Sequence, residues 1–293
     1  MKAARPISII LLLLAGILGT LSDVSHPHSP LFLGGYRVLT ADFHVHSFPL
    51  SWGILAPWDT VLEARHDGLD VIAMTPHGHV WVAYVGRWFS QHMGGPTVLI
   101  GEEIVSPSYH LLGIGIHDAI DWREPAARAI EQVHRQGGVA IAAHPRKYYW
   151  PAYDTEALQK LDGAEILHPL IYATISGYPE VQQFYEHAHV AAIGDSDYHG
   201  TGPMGICRTF IFARDDSEGS ILEAIRTQHT VAIDRDGRAY GDPALIILMK
   251  NVNIAQLNPS FLGPGWLVRV STWCGLLGLF ALFIFGTSRD QRG

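Results

Sequence analysis

The chain has 293 residues, enough for one large domain or two small ones with an ample core. Its formal net charge is -8 and its 20 Lys and Arg are thinly spread, a balance that excludes an electrostatic nucleic-acid binder. The two cysteines, Cys207 and Cys274, form no CxxC knuckle or redox pair, whereas 17 histidines leave metal chemistry open.

Residues 1–21 begin with Lys2 and Arg5 and continue as ISIILLLLAGILGTL, charge-free from Ile7 to Leu21, the pattern of a signal peptide or signal anchor. About 15 helical residues reach roughly 22 Å against a hydrocarbon core of about 30 Å. No clean A-x-A site follows, which favours an uncleaved anchor. Residues 22–35, rich in Ser, Pro, His and Gly, read as a linker. From 36 to 234, short β-branched runs alternate with amphipathic stretches. RVLTADFHV predicts a strand, and Pro57 opens a helix, WDTVLEARHDG, that Gly68 stops. LDVIAMT, TVLIGEEI and YHLLGIGI predict strands, EPAARAIEQVHRQGG a helix, and VAIAAH and GAEILH strands. PEVQQFYEHAH predicts a helix, VAAIGD a strand, and EGSILEAIRTQH a last helix before TVAID. The alternation implies a mostly parallel sheet with its helices outside. Seven or eight strands in about 200 residues suit a small closed β/α barrel.

Residues 235–265 read as a tail and linker containing a strand or hairpin, ALIILMKNVNI, and ending in NPSFLGPG. Residues 266–286 form a second apolar run, expected as a transmembrane helix with Arg269 reaching to the interface, and 287–293 a cytoplasmic tail. Lys2, Arg5, Arg289 and Arg292 then lie in the cytoplasm. The domain between them faces the periplasmic or extracellular side of the cell membrane.

Metal-capable residues gather where the predicted strands end. His44 and His46, two apart in ADFHVH, share one face of a strand, and two neutral imidazoles aimed at one spot are half a metal site. An isolated HxH is equally well a pair of hydrogen-bonded strand histidines. The other strand ends break the tie. His77 and His79 follow VIAMT, Glu102 and Glu103 lie in VLIGEEI, His144 ends VAIAAH, His168 ends EILH, and Asp195, Asp197 and His199 follow VAAIG. Only His110 lies near the start of a strand. Barrel active sites are built at C-terminal strand ends, so a metal centre is the expectation.

In order, HVH, TPH, GEE, HLLG, AHP and GDSDYH resemble the motif series of the polymerase and histidinol phosphatase (PHP) superfamily, and GICRTFIFARDDSEGSILEAIRTQHTVA resembles its closing segment. The likeness covers Arg37 to Asp234, roughly two thirds of the chain. It implies an α/β fold, a distorted (β/α)7 barrel of the PHP type, here flanked by N- and C-terminal apolar membrane segments. It also implies two, at most three, divalent ions (Zn, Mn or Fe) and hydrolysis of phosphate esters. By that resemblance His44, His46 and Asp197 hold one ion, Glu103 bridges two, His110 and His144 complete the second, and His77 and His199 belong to a third. Glu103, Asp197 and Arg146 are the catalytic candidates. Glu102 is expected to face away, and Asp195 to support a ligand or cap a turn. His168 is expected behind the ligands or against substrate, and His79 as a replacement ligand. Two departures stand out. The family's Ser-Asp-Gly after HxH is here LSWGILAP, with Trp52 where the acid should stand, and its TDH is TPH, with Pro76 for the acid. The third position loses an anionic ligand, so a two-metal centre is the safer expectation.

Such a centre serves phosphoester, carboxyl ester, amide or carbamate hydrolysis alike. Arg146 and Lys147 follow His144, and Arg208 follows His199; guanidinium forks match phosphate oxygens. With His168 they are the substrate-binding candidates, and they favour a small phosphoester. YYWPAY, Tyr148 to Tyr153, either walls an organic substrate or packs a loop. The sequence therefore points to a phosphoesterase tethered to membrane lipid through its terminal helices. The alternatives are a carbamate, ester or amide hydrolase on the same fold, and a metal-holding protein without turnover.

Overall fold

The computed structural model of the chain describes residues 4–22, 29–169, 179–200, 202–234, 237–257 and 266–286. Lys2, the tail with Arg289 and Arg292, residues 23–28 of the expected linker and the NPSFLGPG stretch lie outside the described residues. The chain divides into two compact units, residues 26–261 and residues 1–25 with 262–293. In chain order the elements are α1 (Ala4–Ser22), β1 (Leu31–Leu33), β2 (Tyr36–Val45), α2 (Pro57–His66), β3 (Val71–Met74), α3 (Trp81–Met93), β4 (Thr97–Val105) and β5 (His110–Ile114). Then come α4 (Ala126–Arg135), β6 (Val139–Ala142), a 3-10 turn (Lys147–Ala152), α5 (Thr155–Lys160), β7 (Gly163–Leu167), α6 (Pro179–Ala188) and β8 (Ala191–Gly194). The remainder is β9 (Thr209–Ala213), α7 (Glu218–Arg226), β10 (Thr230–Ile233), β11 (Ala239–Gly241), α8 (Pro243–Met249), α9 (Ile254–Leu257) and α10 (Trp266–Gly286).

In the larger unit the strands follow one path, β11-β10-β9-β2-β3-β4-β5-β6-β7-β8, with β1 added on β2. The ends of that path meet. The Thr209 hydroxyl on β9 accepts the Gly194 N–H of β8 (2.9 Å) and donates to its carbonyl (3.0 Å), so the sheet is a nearly closed barrel. The sheet is mixed where the sequence predicted mostly parallel pairing. β2–β3, β3–β4, β6–β7 and β7–β8 are parallel, while β4–β5, β5–β6, β2–β9, β9–β10 and β10–β11 are antiparallel. The β4–β5 connection is too short for a crossover helix, and a short connection enforces a hairpin.

Alternation along the strands sorts the barrel into an inside and an outside. Leu39, Ala41 and Phe43 of β2 join Val71, Ala73, Leu99, Leu112, Ile141 and Ile193 in the central core cluster. Val45 instead packs in the outer cluster with Ile72, Met74 and the α2–α3 side chains. The phase therefore breaks between Phe43 and Val45, where the β2–β3 register also shifts. His44 and His46 are thereby turned inward, though strict alternation from Phe43 would send them out.

Three expectations are corrected. ALIILMKNVNI does not pair as a strand: Asp242 accepts the Ala244 N–H (2.7 Å), Pro243 pre-sets the first turn, and α8 buries Leu245 and Met249. Arg208 does not face a substrate. It is wholly buried, donating through Nε to the Gly205 carbonyl (2.8 Å) and through its two terminal nitrogens to Leu257 (2.8 Å) and Asp67 (3.2 Å). Burial pulls its guanidinium down to about 10. A Cβ on Gly205, at φ +65, would stand 2.9 Å from that guanidinium, so the turn needs glycine. Finally, no described helix is long and apolar enough to cross a membrane. The charge-free run of α1 reaches roughly 22 Å, and that of α10, from Val270, about 25 Å, both short of about 30 Å.

Within the smaller unit α1 and α10 pair antiparallel through small groups. Ser271 Oγ donates to the Ala15 carbonyl (2.8 Å), and a Cβ on Gly278 would meet Leu12 at 2.9 Å. Ser8 is buried, while Ile10, Leu13, Ile17, Leu276, Phe280 and Phe283 are exposed.

The Arg208 strut yields a stability test. Arg208→Leu strips three buried carbonyls of a donor, and denaturant unfolding is expected to show a loss of about 3 kcal/mol.

Candidate metal centre

The inward-turned polar groups meet at one mouth of the barrel around the carboxylate of Glu103, the inward residue of β4. Its Oε2 lies 3.2 Å from His44 Nε2, 3.3 Å from His46 Nε2 and 2.8 Å from His77 Nε2. Its Oε1 lies 2.7 Å from His110 Nδ1 and 3.2 Å from His144 Nε2. Asp197 approaches from the loop after β8, with Oδ1 at 3.2 Å from His44 Nε2 and 3.1 Å from His46 Nε2. Glu102 faces the other way, accepting the Ile120 N–H (2.7 Å), and burial lifts it to about 7.

Three donor sets, each with ligand atoms within 4.8 Å of one another, come together here: His44, His46, Glu103 and Asp197; Glu103, His110 and His144; and His44, His144 and His168. Nε2 of His44, Nε2 of His46 and Oδ1 of Asp197 are buried and make no hydrogen bond. Buried polar atoms without partners are costly. Converging lone pairs from imidazole and carboxylate are what a divalent transition ion accepts, so the donor set fits the implied metal.

The electrostatics agree. Burial lowers the His44 imidazole, but Asp197, Glu103 and Glu165 together outweigh it and hold its pKa well above the usual value. Burial raises Glu103 and Asp197, yet the surrounding histidines, His44 foremost, pull both below the ordinary carboxylate range. Two of the donors have left-handed backbones, His144 at φ 28 and Asp197 at φ 48, conformations that L-residues adopt at a cost. At His144 the reversal matters because Ala140 and Ala142 face outward on β6, and unbroken alternation would carry His144 out with them.

His77 and His199 belong to no such set among the described residues. His77 is bonded to Glu103, and His199 stacks on His46 (4.2 Å between ring centres) with Nδ1 2.8 Å from the Asp197 carbonyl. His79 stacks on Trp81 (5.6 Å). His168 is buried with Nε2 3.4 Å from Asp197 Oδ2, inside the cluster rather than on its rim. Arg146 and Lys147 are exposed on the turn between His144 and the 3-10 segment. The aromatic run divides. Tyr153 is buried and donates to the His110 carbonyl, Trp150 Nε1 donates to Pro145 (3.0 Å), and Tyr149 stacks on the His110 ring (4.9 Å).

Sequence reasoning missed Glu165. It lies on β7 with Oε1 2.7 Å from His44 Nδ1, while its Oε2 accepts the His144 main-chain N–H (2.6 Å). A carboxylate at that position accepts only, so Nδ1 keeps its proton and Nε2 is the nitrogen that would give its lone pair to an ion. The signal was a single acid in the apolar strand GAEIL, two residues on from inward-facing Gly163. Ser51 was missed too; its hydroxyl pairs with His46 Nδ1 (2.8 Å) and accepts the His77 N–H (3.3 Å). Asp42 and Asp195 tie β2 to the loop after β8, Asp195 accepting from Phe43 N–H (2.6 Å) and Asp42 from Ser196 N–H (3.1 Å).

No protein-family model matches the chain. It is 26% identical to an uncharacterised protein of Methanocaldococcus jannaschii over 143 residues, 44% of this chain and 82% of that one. Among solved structures it is similar to a two-domain protein of Bacteroides vulgatus containing a predicted PHP-like metal-dependent phosphoesterase, with a TM-score of 0.57 and 23% identity over 72% of this chain and 69% of that one. It is also similar to a provisionally named metal-dependent phosphoesterase of Bifidobacterium adolescentis, with a TM-score of 0.47 and 17% identity over 68% of this chain and 98% of that one. The Bacteroides structure shares the fold.

Glu165→Gln supplies an amide donor where the carboxylate accepted, which reverses the His44 tautomer. Calorimetric titration with Zn²⁺ or Mn²⁺ is expected to show affinity reduced about 10–100-fold.

Proposed function

We propose that the chain is a PHP-type metal-dependent hydrolase of phosphate esters with a two-ion centre. The observation that carries this reading is the division of Glu103, one oxygen toward His44 and His46 and the other toward His110 and His144. On this reading His44, His46 and Asp197 hold one ion, His110 and His144 the other, and Glu103 joins both. His77 and His199 are left as the remnant of a third position that has Trp52 and Pro76 where its acids would stand. Zn, Mn or Fe in this mixed donor set supplies Lewis acidity and an acidified water.

The chain's own residues supply the rest. Glu165 and Ser51 fix the His44 and His46 rings, and buried His168 stands behind Asp197 with Nε2 3.4 Å from its Oδ2. Arg146 and Lys147 stand exposed beside His144, where a phosphate's outer oxygens would meet them. A carboxyl ester, carbamate or amide would use the same ions but has no anionic oxygens for these cations. The second reading is favoured by the absent acid at the Trp52 position together with the aromatic groups around the site.

Purified protein loaded with Mn²⁺ or Zn²⁺ is expected to hydrolyse p-nitrophenyl phosphate in preference to p-nitrophenyl acetate and to hold about two ions per chain. Asp197→Asn should lower both metal content and turnover, the latter about a thousandfold, or about 4 kcal/mol of barrier. Faster acetate hydrolysis selects the second reading, and bound metal with neither activity selects a metal-holding protein.

We also propose that the protein lies at the outer face of the cell membrane, held by helices that do not cross it. Support comes from the paired helices, whose small residues meet and whose large apolar side chains are exposed, the arrangement lipid favours. The full chain is expected to co-sediment with lipid vesicles; failure to sediment would refute the assignment.

A further inference from the structure

The imidazoles at the two oxygens of Glu103 are held in different ways. A histidine ring turns easily about its last side-chain torsion, and metal-binding histidines are usually fixed by a hydrogen bond at the nitrogen the ion does not use. On the side of His44 and His46 that bond is present twice, between Glu165 and His44 Nδ1 (2.7 Å) and between Ser51 and His46 Nδ1 (2.8 Å). On the other side His110 turns Nδ1 to Glu103 Oε1 (2.7 Å), and among the described residues nothing is hydrogen-bonded to its Nε2. What meets the ring instead is Tyr149, stacked on it with 4.9 Å between ring centres and 27° between planes. His144 meets the same ring edge-on at 5.0 Å. The Tyr149 ring is itself firmly placed. It belongs to the 3-10 turn Lys147–Ala152, and its neighbours Trp150 and Tyr153 both pack on Phe184, at 6.1 and 5.2 Å between ring centres. Trp150 Nε1 donates to the Pro145 carbonyl (3.0 Å), and the Tyr149 N–H donates to that of Arg146 (2.8 Å). The Tyr153 hydroxyl donates to the His110 carbonyl, so one short segment fixes both the backbone and the ring of that residue. Among the described residues the Tyr149 hydroxyl makes no hydrogen bond, which leaves the ring as the part in contact.

We propose that Tyr149 is the positioning residue of the second ion: its ring, laid on His110, sets the angle at which Nδ1 meets the cation shared with Glu103 and His144. It does by stacking what Glu165 and Ser51 do for the first ion by hydrogen bonding. A stacked ring limits the swing of an imidazole and asks nothing of Nε2, so the role needs an aromatic face and not a hydroxyl. His144 leads straight into the same turn, with the Arg146 N–H on its carbonyl (2.6 Å), so both histidines of the second ion are tied to one segment. The proposal rests on the two-ion reading above.

The test is calorimetric titration of the metal-free full chain with Zn²⁺, with the visible absorption of bound Co²⁺ as a second readout. Wild type is expected to show two binding events. Tyr149→Leu should weaken one of them about tenfold, the scale on which losing a partner of a metal-bound imidazole is felt, and should change the Co²⁺ spectrum of that ion alone. Ser51→Ala should weaken the other event. Tyr149→Phe should match wild type in both, because it keeps the ring. Two events that both survive Tyr149→Leu would overturn the proposal and leave the two-ion reading standing. So would a loss shared equally by both events, or a Tyr149→Leu chain that does not fold, since either would make the ring a packing group. Tyr149→Phe behaving like Tyr149→Leu would move the role to the hydroxyl and also overturn it, as would Ser51→Ala and Tyr149→Leu weakening the same event. A single event in wild type would sink the two-ion reading, and the proposal with it.

Discussion

One carboxylate organises the upper half of the barrel. Glu103 is nearly buried, and each of its oxygens faces imidazole nitrogens, three on one side and two on the other. A buried carboxylate survives only with partners. Here the partners come from β2, the loop after β3, β5 and the loop after β6, so the charge on β4 fixes the height at which four other segments end. In the metal-free protein Asp197, Glu103 and Glu165 favour a proton on His44, raising its imidazole well above the ordinary value despite burial. Cations at the same place would replace that proton, which is why the geometry looks strained as a hydrogen-bond network and natural as a coordination shell.

The strain is local and consistent. His144 and Asp197 have positive φ, β2 loses its alternation between Phe43 and Val45, and β7 shifts register between Glu165 and Leu167. Each irregularity falls at the residue that reaches the cluster or just beside it. Regular strands build the apolar plug of Leu39, Val71, Leu99, Leu112 and Ile141 below, and the departures from regularity turn polar groups over it. Stability resides in the plug, and the mouth is held by hydrogen bonds from Glu165, Ser51, Asp42 and Asp195.

How much of this was legible in the sequence depended on whether a residue's neighbours revealed its direction. The strands, the HxH pair and the acids of GEE and GDSDYH were readable because period two and strand ends constrain them. Glu102 and Glu103 could be sorted onto opposite faces for the same reason. Glu165 was legible in principle, as an inward acid in an apolar strand, but a single Glu carries little weight before its partner's position is known. Arg208 was misread because closeness in sequence to His199 stood in for closeness in space; the chain reverses after Gly205, and the guanidinium goes to carbonyls below. Helix α3 was hidden by its own sequence, since HVWVAYVGRWF is as β-branched and aromatic as a strand, and β9 was lost inside a motif read as a unit. The antiparallel pairs around β5 depend on connection length, which composition does not weigh.

Charge balance argues for an anionic substrate independently of Arg146 and Lys147. The surrounding histidines pull Glu103, Asp197 and Glu165 below the ordinary carboxylate range, while burial beside Asp42 pushes Asp195 well above it. If two divalent ions are held as proposed, they would carry one positive charge more than the first three carboxylates, an excess that an apolar floor does not screen and that would favour an anion above. Acids at the Trp52 and Pro76 positions, as in the family the sequence resembles, would make that balance negative with two ions and positive only with three. On the proposed reading, their absence would leave two ions with the surplus that a phosphate answers.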